Sequence, residues 1–292
     1  VPPLVPPGAR PETAALDGGR VRVLRSPAES GPAVVLLHGG GCDNASISWY
    51  RAFEPLGADC RLIAPDLPGF GSTSGIAPLG GPAPMADFTA RLMTVLGEER
   101  AVVAGVSMGG DVALNLALRH PDRVRALVPI APAGLSAGLS RPWMQAALWA
   151  LCRLPDPVLL PAARLAGRFT GAALRRVLHD PSVLPPEAAA EFRRESTRPG
   201  GQLGYLRYGQ AIVGRRWMRN DILPEVHRIR VPTLFFHGDL DPLIPPRDSR
   251  LAAARMPDAR VVLASRCGHW AQLEAHDRFL SEVRGFLAGL PR

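Results

Sequence analysis

Short apolar runs punctuate this chain at intervals that suit one repeated unit. Arg20–Arg25 alternates charged and apolar positions, as a half-buried strand does. Further on, Ala33–Leu37, Arg61–Ala64, Ala101–Gly105, Ala126–Ile130, Pro232–Phe236 and Val261–Leu263 are apolar without alternation. Runs of that kind fit strands buried on both faces of a parallel sheet. Helical stretches fall between them, over roughly Met85–Leu96, Met108–Arg119, Arg247–Met256 and Ala271–Leu287. In the second of these Val112, Leu116 and Arg119 lie near one stripe, and Ala113 and Ala117 beside it suit close packing on a sheet. Alternating strand and helix predicts an α/β fold with a mostly parallel central sheet and right-handed crossovers.

The alternation lapses between about 134 and 224. That stretch is rich in Pro, Ala, Leu and Arg, and reads as helices over Arg141–Leu154, Ala162–Leu178 and Pro186–Arg198 broken by prolines. The expected organisation is therefore a core of residues 1–133 and 225–292 with a helical cap, 134–224, inserted into it. Residues 1–12 are Pro-rich and read as an irregular arm.

Composition changes this picture little. Hydrophobic residues make up 47% and charged residues 21% of 292 positions, which suits a soluble globular chain with a sizeable core. The net charge is +8, and all 34 basic residues are arginines. They are scattered rather than clustered with aromatics, so a solvated surface is expected and no nucleic-acid partner. Cys42, Cys60, Cys152 and Cys267 show no CxxC or metal-ligand spacing, which fits free thiols. The opening residues lack the charged and apolar regions of a signal peptide, the absent initiator Met suggests a trimmed start, and no apolar stretch approaches the roughly 18 residues of a membrane span. A cytoplasmic protein acting on a small molecule, with no membrane partner, is expected.

The chemistry concentrates at the ends of the apolar runs. Gly105-Val-Ser-Met-Gly-Gly110 follows one run and opens a helix, the context of a nucleophile elbow. Ser107 would stand on the turn, and the Met108 amide at the helix start would favour an oxyanion. A second oxyanion donor should come from His38-Gly-Gly-Gly41, with Gly40 the first choice and Gly41 the alternative; His38 reads as a loop-holding residue. Serine needs a base. His269, after the Val261–Leu263 run and before the last helix, is the candidate. His276 reads as surface or packing, His237 as packing or loop-bonding, and His120, His179 and His227 as solvated. The acid should follow Pro232–Phe236, where Asp239 and Asp241 compete; Asp241, third after the glycine, is favoured to orient His269. Asp66 and Asp111 read as structural. No HExxH, GxGxxG or Walker A stretch is present, so neither a metal nor an organic cofactor is expected.

Taken together, these motifs resemble the α/β-hydrolase superfamily, and more closely the meta-cleavage product hydrolases, which break carbon–carbon bonds in aromatic-ring degradation. The resemblance rests on His38-Gly-Gly-Gly, on Ala64-Pro-Asp-Leu-Pro-Gly-Phe-Gly71, on Ser107-Met-Gly-Gly with Ala113-Leu-Asn115, and on Cys267-Gly-His-Trp-Ala-Gln-Leu-Glu274. The last is the most specific. It implies an α/β-hydrolase fold with a cap over the site, no cofactor, a homo-oligomer in many members, and cleavage of a vinylogous diketo acid to a dienoate and a carboxylic acid. Substrate-binding positions implied by it are Gly41, Ser48 or Trp49, Leu243, Trp270, and a carboxylate-holding arginine, Arg193 or Arg194. Three positions depart from the family: Cys42 replaces a proline, Ser48 or Trp49 stands where an asparagine binds substrate, and Leu243 replaces an aromatic. Those departures make an ester, lactone or thioester hydrolase the first expectation. Carbon–carbon hydrolysis is the alternative; lyase, cyclase or ligand-receptor roles follow.

Overall fold

The computed structural model describes residues 2–138, 141–167 and 177–291. Eight strands form one sheet: β1 (Arg10–Leu16), β2 (Gly19–Arg25), β3 (Ala33–Leu37), β4 (Arg61–Pro65), β5 (Ala101–Val106), β6 (Val124–Ile130), β7 (Thr233–Gly238) and β8 (Ala259–Ala264), in the order β1-β2-β4-β3-β5-β6-β7-β8. From β4 to β8 every pairing is parallel, whereas β1 and β2 pair antiparallel and β2 joins β4 antiparallel. β3 and β5 are buried along their whole length. Their residues alternate between two cores: Val35, Leu37 and Val103 face one, while Val34, Leu36, Val102 and Ala104 face the other. That two-sided burial is why these runs lack polar alternation.

The expected irregular arm is corrected at its end. β1 begins at Arg10, although only Ala14 within it is buried. An exposed edge strand carries almost no hydrophobic signal, and its pairing with β2 is what holds it.

The chain leaves β3 toward β4 and returns to place β5 on the other flank of β3. The loops after β3 and β5 therefore diverge, and a crevice opens at the carboxyl ends of these strands.

Helices cover both faces. Eleven are named here: α1 (Ala45–Ser48), α2 (Phe53–Leu56), α3 (Pro82–Val95), α4 (Met108–Arg119), α5 (Pro142–Cys152), α6 (Asp156–Gly167), α7 (Pro186–Thr197), α8 (Leu203–Ile212), α9 (Pro246–Arg255), α10 (Ala271–Glu274) and α11 (His276–Ala288). The stretch between β6 and β7 contributes α5 to α8 and no named strand among its described residues. The helix expected over Ala162–Leu178 lies partly outside the described residues; residues 162–167 belong to α6, which starts earlier, at Asp156, and accommodates Pro161.

One buried carboxylate ties that stretch to the core. Asp111, in the first turn of α4, accepts from the Tyr208 hydroxyl at 2.6 Å, from Asn220 Nδ2 at 2.6 Å and from Asn115 Nδ2 at 3.0 Å. Burial pushes its carboxyl up from 3.8 to about 7, against the pull of those three donors. A folded-state value above the unfolded one means the folded chain holds the extra proton. The contribution of Asp111 to stability therefore declines as pH rises from 3.8 to about 7. Thermal unfolding of wild type and Asp111→Asn at pH 5 and pH 8 checks this: the wild-type advantage should be larger at pH 5.

Candidate active site

Ser107 links β5 to α4 with φ of +54° and ψ of −114°. A non-glycine residue is rarely held there, and the strain lifts the side chain clear of the sheet. The glycines around it are demanded by close approach. A Cβ on Gly105 would fall 2.2 Å from the Gly109 carbonyl oxygen, and one on Gly109 would fall 2.3 Å from that of Leu37. Only glycine lets α4 start so tightly against the ends of β3 and β5. Between 101 and 117 Ser107 alone is not fully buried.

The loop after β3 meets the start of α4. His38 is fully buried; its Nδ1–H donates to the Gly39 carbonyl at 2.7 Å, and its Nε2 accepts from the Leu67 amide at 3.1 Å. Those two bonds need a neutral ring, and burial lowers its pKa accordingly. The Gly39 amide is taken by Asp43 Oδ2 at 2.9 Å and by the Ser48 hydroxyl at 3.2 Å. The Gly40 and Met108 amides carry no bond to another described residue. Two unpaired N–H groups at the end of β3 and at a helix start are suited to a developing negative charge.

Asp43 belongs to no motif legible in the sequence. It is buried, and its carboxyl also accepts from the Asn44 amide at 2.8 Å and from Ser48 Oγ. Burial raises it to about 7 against these hydrogen bonds. It holds the glycine loop closed at its base; nothing in the motif announces a partner four residues back.

On the other flank the loops after β7 and β8 are laced together. The amides of Asp239 and Leu240 donate to the carbonyls of Ala264 and Cys267 at 2.9 Å each. His269 Nδ1–H donates to Asp241 Oδ2 at 2.7 Å, and both side chains are buried. Oδ1 of Asp241 accepts the amides of Leu243 at 2.8 Å and Ile244 at 3.0 Å. Oδ2 is shared with His237 Nε2 at 3.2 Å; His237 Nδ1 in turn meets Ser249 Oγ at 2.8 Å. Burial opposes the charge on Asp241, but the hydrogen bonds of His237 and His269 and the Ile244 amide outweigh it and hold the carboxyl well below its ordinary range. Asp239, by contrast, is exposed, and among the described residues its carboxylate accepts only the Cys267 amide, at 3.3 Å. No hydrogen bond joins the Ser107 hydroxyl to His269; in free sites such contacts are often long and tighten with substrate.

The other expected substrate positions fall in different settings. Gly41 sits in open space with φ of +78°. Ser48 and Trp49 are buried, Ser48 bonded to Asp43 and Trp49 in the core with its indole N–H unpartnered among the described residues. Arg194 is held by Glu191 and Glu195 at 2.7 and 2.6 Å, and Arg193 is exposed on the same helix. Trp270 is buried edge-on against Phe192. Leu243 is 58% exposed and lines a cavity of about 270 Å³ with Leu135, Ile212, Met218 and Ile244. A larger hollow around Thr94, Glu98 and Arg123 opens at the opposite ends of the strands, away from these residues. Tyr205, absent from the sequence reading, lies against Gly40, where a Cβ would fall 2.3 Å from its ring.

Among the described residues no cluster of His, Cys, Asp and Glu is arranged to hold a metal, the four cysteines are free, and no helix is long and apolar enough to cross a membrane. What the structure offers is an imidazole oriented by Asp241 and, at the start of α4, a strained serine followed by an unpaired amide.

A family model described as alpha/beta hydrolase fold matches residues 32–276. The chain is 30% identical over 273 residues to a 2-hydroxy-6-oxo-6-phenylhexa-2,4-dienoate hydrolase from Burkholderia cepacia, covering 91% of each chain. It is 32% identical over 238 residues to a 2-hydroxymuconate semialdehyde hydrolase from Pseudomonas putida, covering 78% of this chain and 77% of the relative. In structure it is similar to a carboxylesterase from Bacillus subtilis, with a TM-score of 0.77 at 21% identity over 96% of this chain and 92% of the other.

Proposed function

The chain belongs to the alpha/beta hydrolase fold family, and from that premise we propose that it hydrolyses a carbon–carbon bond in a vinylogous diketo acid, with Ser107, His269 and Asp241 as its triad. The observation that carries this reading is 30% identity over 91% of the chain with one enzyme named for such a substrate, and 32% over 78% with another. It is joined by the Cys267–Glu274 signature, whose histidine is hydrogen-bonded to Asp241. This reverses the order of the two sequence expectations: the triad and its glycines serve esterases equally, so they could not favour the carbon–carbon reaction.

The proposed steps follow from the groups present. For a 2-hydroxy-6-oxo-dienoate, His269 Nε2 carries the enol proton to C5, which leaves a diketone with a saturated C5. Ser107 Oγ then adds to the C6 carbonyl as His269 takes its proton. The C6 oxyanion rests on the amides of Gly40 and Met108. As C5–C6 breaks, its electron pair passes through the conjugated chain to the C2 oxygen, which takes the proton from His269. Water, deprotonated by His269, hydrolyses the acyl-serine and releases the carboxylic acid. Asp241 keeps His269 in the tautomer with Nδ1–H throughout. Residues 134–224 act as the cap, and the cavity by Leu243 and Ile244, which carries Arg247, Asp248 and Asn220 beside its apolar side chains, takes the group on C6.

The second reading, ester, lactone or thioester hydrolysis, is favoured by one set of observations: Trp49 is sunk in the core, and the Arg194 guanidinium is already paired. Loss of absorbance from a series of coloured 6-alkyl and 6-aryl dienone acids, run beside aryl esters, separates the two. Turnover of at least one dienone acid, lost in Ser107→Ala, is expected. Turnover of aryl esters alone would sink the carbon–carbon assignment and leave the second reading standing.

A further inference from the structure

Glu274 closes the family-like signature and stands on α10, one turn after His269. Its carboxylate reaches in two directions. Oε1 accepts the amide of Gly268 at 3.0 Å. Oε2 accepts the amides of His179 at 2.7 Å and Asp180 at 3.1 Å, from a segment more than ninety residues earlier. The contact is reciprocated through the backbone, since the His269 amide donates to the Val177 carbonyl at 3.0 Å. Gly268 shows how closely the two segments pass: a Cβ there would fall 2.5 Å from Val177 O and 2.8 Å from His179 N. Between these contacts Leu178 is buried in the same core as Trp270 and Phe192.

We propose that Glu274 is a positioning residue that clamps the segment Val177–Asp180 onto the loop carrying His269, so that seating of this segment and alignment of the histidine occur together; this rests on the triad reading above. A carboxylate that accepts three backbone N–H groups makes charge-assisted bonds with fixed directions. Here those bonds bracket His269: one falls on the residue before it, and the others fall on the strand of chain that its own amide addresses. The His269 backbone is thus tied to the inserted segment, while its ring is tied to Asp241 of the core. Release of the first tie leaves the ring bonded to Asp241 but free to swing relative to Ser107. Burial favours the protonated carboxyl of Glu274, and the amides of Asp180, Gly268 and His179 oppose that.

The test uses Glu274→Gln and Glu274→Ala in the full chain. A glutamine keeps the length but turns an NH2 group toward one of the two donor sets, so one arm of the clamp must open. Two quantities are read: amide hydrogen exchange by peptide, and the pseudo-first-order rate constant for phosphonylation by a serine-directed fluorophosphonate. Irreversibly misfolded protein lowers the amplitude and leaves the rate constant alone, and the assay is run at a temperature where thermal unfolding shows both variants to be fully folded, so that reversible unfolding does not enter the rate. Expected in both variants are faster exchange over 177–180 and 267–270 together, unchanged exchange over 10–25, and a rate constant lowered about tenfold. Unchanged exchange in either segment overturns the clamp. Faster exchange with an unchanged rate constant overturns the positioning role. A wild type that does not react overturns the triad reading itself and the positioning role with it, an outcome distinct from a reactive wild type matched by its variants.

Discussion

Ser107→Ala is expected to lower kcat/KM by about 10⁴-fold or more on any substrate the wild type turns over, with little change in thermal stability. The two halves of that expectation have separate causes. Activity falls because no other hydroxyl on the strained turn can form the acyl bond. Stability holds because the hydroxyl makes no hydrogen bond to a described residue, and alanine keeps the Cβ and with it the same strained φ. Ser107→Gly should differ in the second respect alone, gaining stability as the strain at +54° is relieved. Kinetics and thermal unfolding of both variants check the pair. Activity near the wild-type level in Ser107→Ala would remove the nucleophile from the account.

Asp241→Asn is expected to cost about 10⁴-fold in kcat/KM, whereas Asp239→Asn changes it little. All four neighbours of the Asp241 carboxylate are donors: His269, His237 and the amides of Leu243 and Ile244. An asparagine must point its NH2 either at the two histidines or at the two amides. In the first orientation His269 loses the tautomer that leaves Nε2 free as the base, and in the second the loop after β7 loses its fold. Asp239 faces solvent and gives up a single amide contact. Stability follows the same carboxylate. Its value is held below the ordinary range, so the stabilisation is present above that range and is lost as pH falls toward the folded value. The Tm difference between wild type and Asp241→Asn should therefore shrink as the solution is acidified. The reverse activity ranking of the two asparagine variants would mean that Asp239 is the acid.

The core of the fold was readable because its strands are buried on both faces. Ala33–Leu37 and Ala101–Val106 are apolar throughout since each face lies against helices. β1 escaped notice because its hydrogen bonds to β2, rather than its side chains, hold it in place. The candidate chemistry was readable where it depends on chain order and on what precedes and follows each residue, as for Ser107 at a strand-to-helix turn. It was unreadable where it depends on which partner a side chain chooses, near or far along the chain. Arg194 looked available for a carboxylate, but Glu191 and Glu195 on its own helix take it. Tyr205 against Gly40 and Glu274 on His179 join stretches that no local pattern connects, and the turn that folds His237 back onto Asp241 leaves no mark in the motif. Substrate class stands furthest from the motifs, because a glycine-rich elbow and a paired histidine serve esters and carbon–carbon bonds alike; identity spread over nearly the whole chain separates them better.

The central claim is that Ser107 is an activated nucleophile, and intact-protein mass after exposure to a serine-directed fluorophosphonate tests it most directly. One adduct per chain on the wild type, mapped to Ser107 and missing from Ser107→Ala, is the predicted result. An unmodified wild type, or an adduct that persists in Ser107→Ala, would contradict it.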